Sequence, residues 1–167
     1  MNTTTTLNGS TLLVRIGYAR RTNTPYYPPV SIMEEYLRFS QTHDNKVLYP
    51  IGAFGVSETD IADHLILWSQ KTPKKLIAEI HEIGKPYSPN LWDPNDPYQA
   101  PEPWNMLPAF RWIKLDNLQP LDTFDPEQYE AKHKTEIIPL TEALEVMKRQ
   151  PVIRIQPKGT AATLPNG

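Results

Sequence analysis

The chain has 167 residues, 39% hydrophobic and 22% charged, with a mean hydropathy of -0.51; this composition suits one globular domain and excludes wholesale disorder. Its 17 basic and 19 acidic residues give a net charge of -2, so we expect no charge-driven coating of nucleic acid. No run approaches the roughly 20 apolar residues of a membrane helix. The absence of cysteine excludes disulfides and thiolate chemistry.

The amino terminus is rich in threonine and carries no basic segment followed by an apolar one, so the sequence predicts no secretory signal and a cytoplasmic protein. We expect residues 1–10 to form a disordered tail. Residues 11–157 are predicted to form a single domain, and residues 158–167 a second disordered tail or a linker.

A run of aliphatic and β-branched residues at 11–18 predicts a buried first strand. Turn-forming residues follow, and Ser31 with Glu34 three positions later has the form of a capping box. This pattern predicts a helix over residues 32–41 with one apolar face. The residues expected on that face are Ile32, Met33, Tyr36, Leu37 and Phe39.

The middle of the chain contains two short apolar runs, which predict strands at residues 47–51 and 65–68. A capping signal at residues 57–60 predicts a helix of one or two turns between them. Apolar and polar residues alternate over 75–83, which indicates a half-buried strand that forms a tight hairpin with the strand before it.

Proline is unusually frequent: the chain has 18, and seven of them fall between residues 86 and 108. Proline removes a backbone donor and fixes φ, so this segment is predicted to contain neither a helix nor an interior strand. Residues 109–115 after it are rich in aromatic and β-branched types and predict a fifth strand.

Near the carboxyl end, Asp125 followed by proline predicts a short helix, and Thr141 is predicted to cap another over residues 142–150. Residues 152–156 predict a sixth strand. Six short strands with inserted helices, rather than regular strand–helix alternation, predict an α+β fold built on a small twisted β-barrel with short peripheral helices.

The chain lacks the sequence motifs of common enzymes, including the nucleophile elbow, the P-loop and the dinucleotide-binding glycines. Its histidines are too far apart for a metal-binding motif. They are His43, His64, His81 and His133. We therefore predict a non-catalytic binding domain with no metal and no cofactor.

Aromatic residues concentrate in and around the proline-rich segment, where Trp92 and Trp104 lie without any secondary structure that requires them. They could cover the open end of the barrel, or they could form the walls of a pocket for a planar ligand. Stacking a base on an aromatic ring contributes about 1–3 kcal/mol in single-strand binders. Proline would lower the entropic cost of holding such walls in place.

The segments HLILWSQKTPKKLIAEIHEIGKPY, FRWIKLDNLQPL and VIRIQP resemble, in this order, the EVE and YTH branches of the PUA-like superfamily. The similarity covers residues 65–157 and rests on hydrophobic spacing and a few specific residues. These are Trp68, Glu79, Pro86, Tyr87 and Trp112. The resemblance implies a twisted β-barrel and an aromatic cage that receives a modified base.

The cage tryptophan that YTH domains carry early in the chain has no counterpart in this sequence. The resemblance places Trp68 and one of the two loop tryptophans at the pocket, and Asp93 and Asn105 could bond the base edge. The predicted base-binding residues are Phe54, Trp68, Ser69, Tyr87, Trp92, Asp93, Trp104 and Asn105. The predicted phosphate contacts are Arg20, Arg21, Lys71, Lys74 and Lys75.

The leading interpretation is a reader of a modified, methylated base that is flipped out of nucleic acid, with DNA favoured over RNA. Such a domain would serve a modification-dependent restriction or defence system together with a fused or associated nuclease or NTPase. Two alternatives stay open. One is a sensor or enzyme that binds a nucleotide or other small molecule in the same pocket, and the other is a protein-interaction domain. No membrane partner is expected.

Overall fold

The computed structural model describes residues 10–16, 28–51, 62–84, 93–102, 104–106, 111–147, 150 and 152–159. Within these ranges the chain forms one eight-stranded sheet and two α-helices. The strands are β1 (Thr11–Arg15), β2 (Lys46–Ile51), β3 (His64–Trp68), β4 (Leu76–Ile83), β5 (Arg111–Pro120), β6 (Tyr129–His133), β7 (Glu136–Pro139) and β8 (Val152–Pro157). The helices are α1 (Pro29–Gln41) and α2 (Leu140–Val146).

The strands follow the spatial order β2-β5-β4-β3-β1-β8-β6-β7, with β1 and β3 parallel and the other neighbouring pairs antiparallel. All five residues of β1 are buried because this strand lies inside the sheet with apolar layers on both faces. The predicted α+β class is confirmed. The expectation of about six strands is wrong, and the sheet is not closed, since β2 and β7 are its two edges.

The two additional strands, β6 and β7, follow the point at which the sequence predicted a short helix. Asp125 does act as a cap, because its side chain accepts a hydrogen bond from the Glu127 N–H at 3.0 Å, but it starts only the 3₁₀ turn Pro126–Gln128. The chain then forms the β6–β7 hairpin, whose turn includes Lys134 at a positive φ of 55°. Pairing of β6 with β8 outweighs the local helix signal.

Both helices begin earlier than predicted, and each follows a proline. The N-cap residues are Pro28 and Pro139, and neither helix has a side-chain cap bond. The expected caps, Ser31 and Thr141, therefore lie inside the first turns. The predicted core face of α1 is confirmed at three buried positions, Ile32, Met33 and Tyr36. In the described part of the chain, no helix is long and apolar enough to cross a membrane.

The core consists of two layers, one on each face of the sheet. The first core cluster lies between the sheet and α1 and includes Leu65 and Leu67. The second core cluster lies between the sheet and α2 and includes Ile66 and Trp68. Because successive strand residues point to opposite faces, β3 contributes alternately to the two clusters.

The pairing of β4 with β5 is interrupted by a bulge. Asn117 and Leu118 of β5 together oppose the single residue Ala78 of β4. Asn117 has a positive φ of 55°, a conformation that asparagine tolerates better than most residues. Its N–H leaves the β4–β5 ladder and donates to the Asn45 carbonyl at 2.9 Å. The bulge thus separates the two strands locally and re-aims the side chains around it.

Part of the proline-rich segment packs onto the sheet. The Leu48 N–H of β2 donates to the Gln99 carbonyl at 2.8 Å, and Tyr98 and Ala100 are buried against Leu48 and Trp112. As predicted, the described part of this segment contains no α-helix and no strand, but it does contain the 3₁₀ turn Trp104–Met106. The segment covers one edge of the sheet.

The ends of the domain are described in part. Residues 1–9 and 160–167, and the helix predicted near residues 57–60, lie outside the described residues. The Lys158 N–H donates to the Gln128 carbonyl at 2.9 Å. The first residue of the predicted carboxyl-terminal tail is therefore held against the turn that precedes β6.

Candidate functional site

Trp68 is the last residue of β3 and belongs to the second core cluster, with 8% of its surface exposed. Two cations lie near its ring: the Arg15 guanidinium carbon is 5.9 Å from the ring centroid, and Lys75 Nζ is 5.4 Å from it. Both distances fall within the range of cation–π attraction. The indole is therefore engaged by the protein itself, on the face of the sheet that α2 covers.

Ser69 and Lys75 hold the turn between β3 and β4. Ser69 Oγ accepts from the Lys71 N–H at 3.1 Å. Lys75 Nζ donates to the carbonyls of Ser69 and Thr72 at 3.2 Å and 2.6 Å. Burial lowers the pKa of the Lys75 ammonium below its ordinary value. These bonds give Ser69 and Lys75 structural roles in the hairpin.

The other two lysines of this turn differ in their surroundings. Lys71 is exposed, whereas Lys74 is half-buried and pairs with Glu34 of α1 at 3.7 Å. Both ammonium groups remain near the surface, where a phosphate could reach them. The remaining predicted phosphate contacts, Arg20 and Arg21, lie outside the described residues.

Trp104 belongs to a different group of rings, which we call the aromatic cluster: Tyr36 of α1, Tyr49 of β2 and Trp104 itself. The Tyr36 ring centroid is 5.2 Å from that of Tyr49 and 5.3 Å from that of Trp104, and both pairs are tilted. Tyr36 is buried, whereas Tyr49 and Trp104 are half-buried. Burial raises the pKa of both phenols, with the neighbouring Tyr49 adding to the effect at Tyr36, so both stay neutral.

Asn105 follows Trp104 and has an unusual environment. Its side-chain oxygen Oδ1 is buried and has no hydrogen-bond partner among the described residues. Its N–H donates to the Pro101 carbonyl at 3.1 Å, which fixes the start of the 3₁₀ turn. A buried acceptor without a donor is costly, so a ligand that brings an N–H group to this oxygen would be favoured.

Asp93 lies in a turn that it stabilises itself. Its Oδ1 accepts from the Asn95 N–H at 2.9 Å, and its carbonyl accepts from the Gln99 side-chain amide. The side chain is exposed, and its hydrogen bond to the backbone two residues later is typical of aspartate in a turn.

Next to that turn, Lys114 ties the proline-rich segment to the sheet. Its Nζ lies 2.8 Å from Asp96 and 5.0 Å from the centroid of the Trp112 ring. Burial alone would raise the pKa of Asp96, but hydrogen bonds from Lys114 and from the Tyr98 N–H lower it overall. This cluster has partners for its charges and serves to attach the segment.

Among the described residues, the predicted base-binding side chains are therefore not brought together into one pocket. Trp68 and Ser69 belong to the α2 face and the β3–β4 turn. Trp104 instead packs against the first core cluster and against the cluster of Leu48, Tyr98, Ala100 and Trp112. Three further members, Phe54, Tyr87 and Trp92, lie outside the described residues. The described ends of β2 and β4 lie close to each other, since both strands end opposite the first residues of β5.

The structure also contains a polar cleft that the sequence analysis missed. This cleft, of about 510 Å³, opens at the β4–β5 bulge, and Ile77, Ala78 and Leu118 form its apolar part. Its polar lining residues are Gln41, Asn45, His64, Glu79, Asn117 and Gln119. The available signal was Asn117, just after the predicted strand 109–115, since asparagine tolerates the positive φ that it adopts in this bulge.

Within the described ranges, no group of three or more histidine, aspartate or glutamate residues could hold a metal ion. Comparison of the chain with models of known protein families, with curated proteins and with solved structures gives no match. The resemblance to EVE and YTH domains thus rests on the residues of this sequence alone.

Proposed function

We propose that the protein is a non-catalytic reader of a modified, methylated base that is held out of the stack of a nucleic acid, with DNA favoured over RNA. In this proposal the chain is a relative of the EVE and YTH domains, and the β6–β7 hairpin is an addition at the sheet edge. It would act in a modification-dependent restriction or defence system with a fused or associated nuclease or NTPase. The segments that carry the resemblance fall on β3, β4, β5 and β8.

One observation carries the proposal: a half-buried indole, Trp104, stands next to the unsatisfied oxygen of Asn105. A base could stack on the indole while its exocyclic amine or ring N–H donates to that oxygen. Both interactions are of the kind that offsets the few kcal/mol needed to unstack a base. Of the base-binding residues predicted from the sequence, this proposal keeps Trp104 and Asn105 among those that the structure describes.

Lys71 and Lys74 are the described phosphate contacts that this proposal retains. Lys75 is left out, because its ammonium group donates to two backbone carbonyls. With two described lysines as phosphate contacts and a net charge of -2, the affinity is expected to be modest and to fall as the salt concentration rises.

The test is titration of the protein with matched oligonucleotides that carry one methylated cytosine, one methylated adenine or no modification, followed by tryptophan fluorescence. We expect one modified oligonucleotide to quench the fluorescence and to bind at least about tenfold more tightly than the unmodified one. Trp104→Ala should weaken that binding by about 5- to 150-fold, the equivalent of one stacked base.

Trp104→Phe is the matched variant, because it keeps an aromatic face and should retain most of the affinity. Thermal unfolding of both variants shows whether each is folded at the temperature of the titration. Equal binding of all the oligonucleotides, or equal losses from the alanine and phenylalanine variants, would contradict the proposal.

A further inference from the structure

The polar cleft at the β4–β5 bulge shares no residue with the aromatic cluster, and the proposed function makes no use of it. Its lining combines four carboxamide side chains, one carboxylate and one imidazole. We propose that the polar cleft binds a nucleobase with an exocyclic amino group, adenine or cytosine, as the free base or nucleoside and without a phosphate.

The charge of the lining decides against an anionic ligand. Among the described residues, Glu79 is the one acidic residue in the lining, and no lysine or arginine lines the cleft. A phosphate would therefore meet a carboxylate without a compensating cation, which is unfavourable in a partly desolvated site. A neutral ligand that donates hydrogen bonds meets no such cost.

The Glu79 carboxylate is held in place by a hydrogen bond from another residue of the cleft. Asn117 Nδ2 donates to Glu79 Oε2 across the two strands. Glu79 makes no other hydrogen bond among the described residues that line the cleft, so its second oxygen can accept from an amino group of a ligand. The bulge is what brings the Asn117 side chain to this carboxylate, since Glu79 pairs with Asp116 in the strand register.

The carboxamides supply the rest of the recognition. Gln41 and Asn45 come from the end of α1 and the turn after it, and Gln119 comes from β5 on the other side of the bulge. Each carboxamide offers both donors and an acceptor. Asparagine and glutamine pair in this way with the N6 amine and N7 of adenine, and a carboxylate accepts from the N4 amine of cytosine. An amino-bearing base is therefore the ligand that matches both kinds of group.

The backbone around the bulge allows a clean removal of side chains. Asn117 has a positive φ, which glycine adopts at no cost, so Asn117→Gly keeps the bulge and deletes the amide. Glu79 is exposed, so Glu79→Met removes its hydrogen-bonding groups without creating a cavity. The matched control is Glu142→Met, at an exposed glutamate of α2 that does not line the cleft.

The experiment is calorimetric titration of the full chain with adenosine, cytidine, inosine, uridine and adenosine 5′-phosphate. We expect adenosine or cytidine to bind at least about tenfold more tightly than inosine or uridine, which carry a carbonyl oxygen in place of the amine. Adenosine 5′-phosphate should bind more weakly than adenosine. Glu79→Met and Asn117→Gly should each weaken binding at least about tenfold, and Glu142→Met should leave it unchanged.

Absence of binding by adenosine and cytidine at millimolar concentration would overturn the inference, as would equal binding of inosine and adenosine or an unchanged affinity in Glu79→Met. The oligonucleotide titrations with Trp104 variants use a different ligand and a different site. Failure of one proposal is therefore distinguishable from failure of the other.

Discussion

Gly84, the residue after β4, shows how a single position fixes the packing of an aromatic side chain. A Cβ atom at this position would overlap the six-membered ring of the Trp112 indole. The Gly84 N–H donates to the Trp112 carbonyl at 2.8 Å, so the backbone itself is held against β5. Only a residue without a side chain allows this approach, and Trp112 in turn supports Tyr98 and Ala100.

We expect Gly84→Ala to lower the free energy of unfolding by about 1–3 kcal/mol, because the added methyl group displaces the indole or the backbone. Urea unfolding measures the change. If the overlap with the indole is the cause, the same substitution in a Trp112→Leu background should cost less. An equal cost in both backgrounds would contradict this explanation.

At the scale of secondary structure, α2 is attached to the sheet by a buried cation as well as by apolar contacts. Arg15 ends β1 with 8% of its surface exposed, and its Nη2 donates to the Leu144 carbonyl of α2 at 2.8 Å. The same guanidinium lies near the Trp68 ring. A strand at the centre of the sheet therefore positions a helix of only seven residues.

Replacing Arg15 by methionine keeps most of the apolar stem and removes the hydrogen bond to α2. We expect Arg15→Met to destabilise the protein by about 1.5–3 kcal/mol, the usual contribution of a hydrogen bond to a charged group. Amide hydrogen exchange should accelerate in α2 before it does in α1. The control is Arg38→Met, at an exposed residue of α1, for which we expect a change within about 0.5 kcal/mol. Uniform acceleration in both helices would argue against a local role of Arg15.

Elements with strong periodicity were predictable from the sequence, and those that depend on distant partners were not. The runs that became β1, β3 and β8, and the apolar face of α1, carry their own signal. The β6–β7 hairpin does not, because β6 is a strand through its pairing with β8, more than twenty residues away. The polar cleft was missed for the same reason, since a bulge is a property of two strands together.

For the candidate site, the sequence could predict which residue types take part, but not how they are arranged in space. Trp68 and Trp104 were both sound candidates for aromatic contacts, but which face of the sheet each one occupies depends on the register of β3 and on the docking of the proline-rich segment. Neither the strand register nor the docking of this segment can be read from the sequence. Asn105 could be selected by its chemistry, whereas its unsatisfied oxygen is visible only in three dimensions.

For the molecule as a whole, buried phenols make stability depend on alkaline pH. Burial is the largest cause that raises the pKa of four tyrosines, Tyr36, Tyr49, Tyr98 and Tyr129. Above the ordinary value of 10.0, the unfolded chain loses these protons while the folded protein keeps them, so stability falls as pH rises. The lowered pKa of Lys75 acts in the opposite direction as pH approaches 10.5, but among the described residues it is one lysine against four tyrosines.

We expect the free energy of unfolding to decrease steadily above pH 10. Absorbance at 295 nm should show that a group of phenols ionises only together with the loss of the circular dichroism signal, whereas in urea all phenols should ionise near pH 10. Complete ionisation near pH 10 in the folded protein would show that these tyrosines are accessible.

The two ends of the described domain meet in the middle of the sheet, where β1 lies between β3 and β8 and Leu13 is paired with Ile153. During synthesis, β1 emerges from the ribosome long before β8, so one edge of β1 stays unpaired until the segment between the two strands has been translated. A premature stop shortly before β8 would leave that central row of backbone groups open to other chains, and aggregation is the expected fate of such a product.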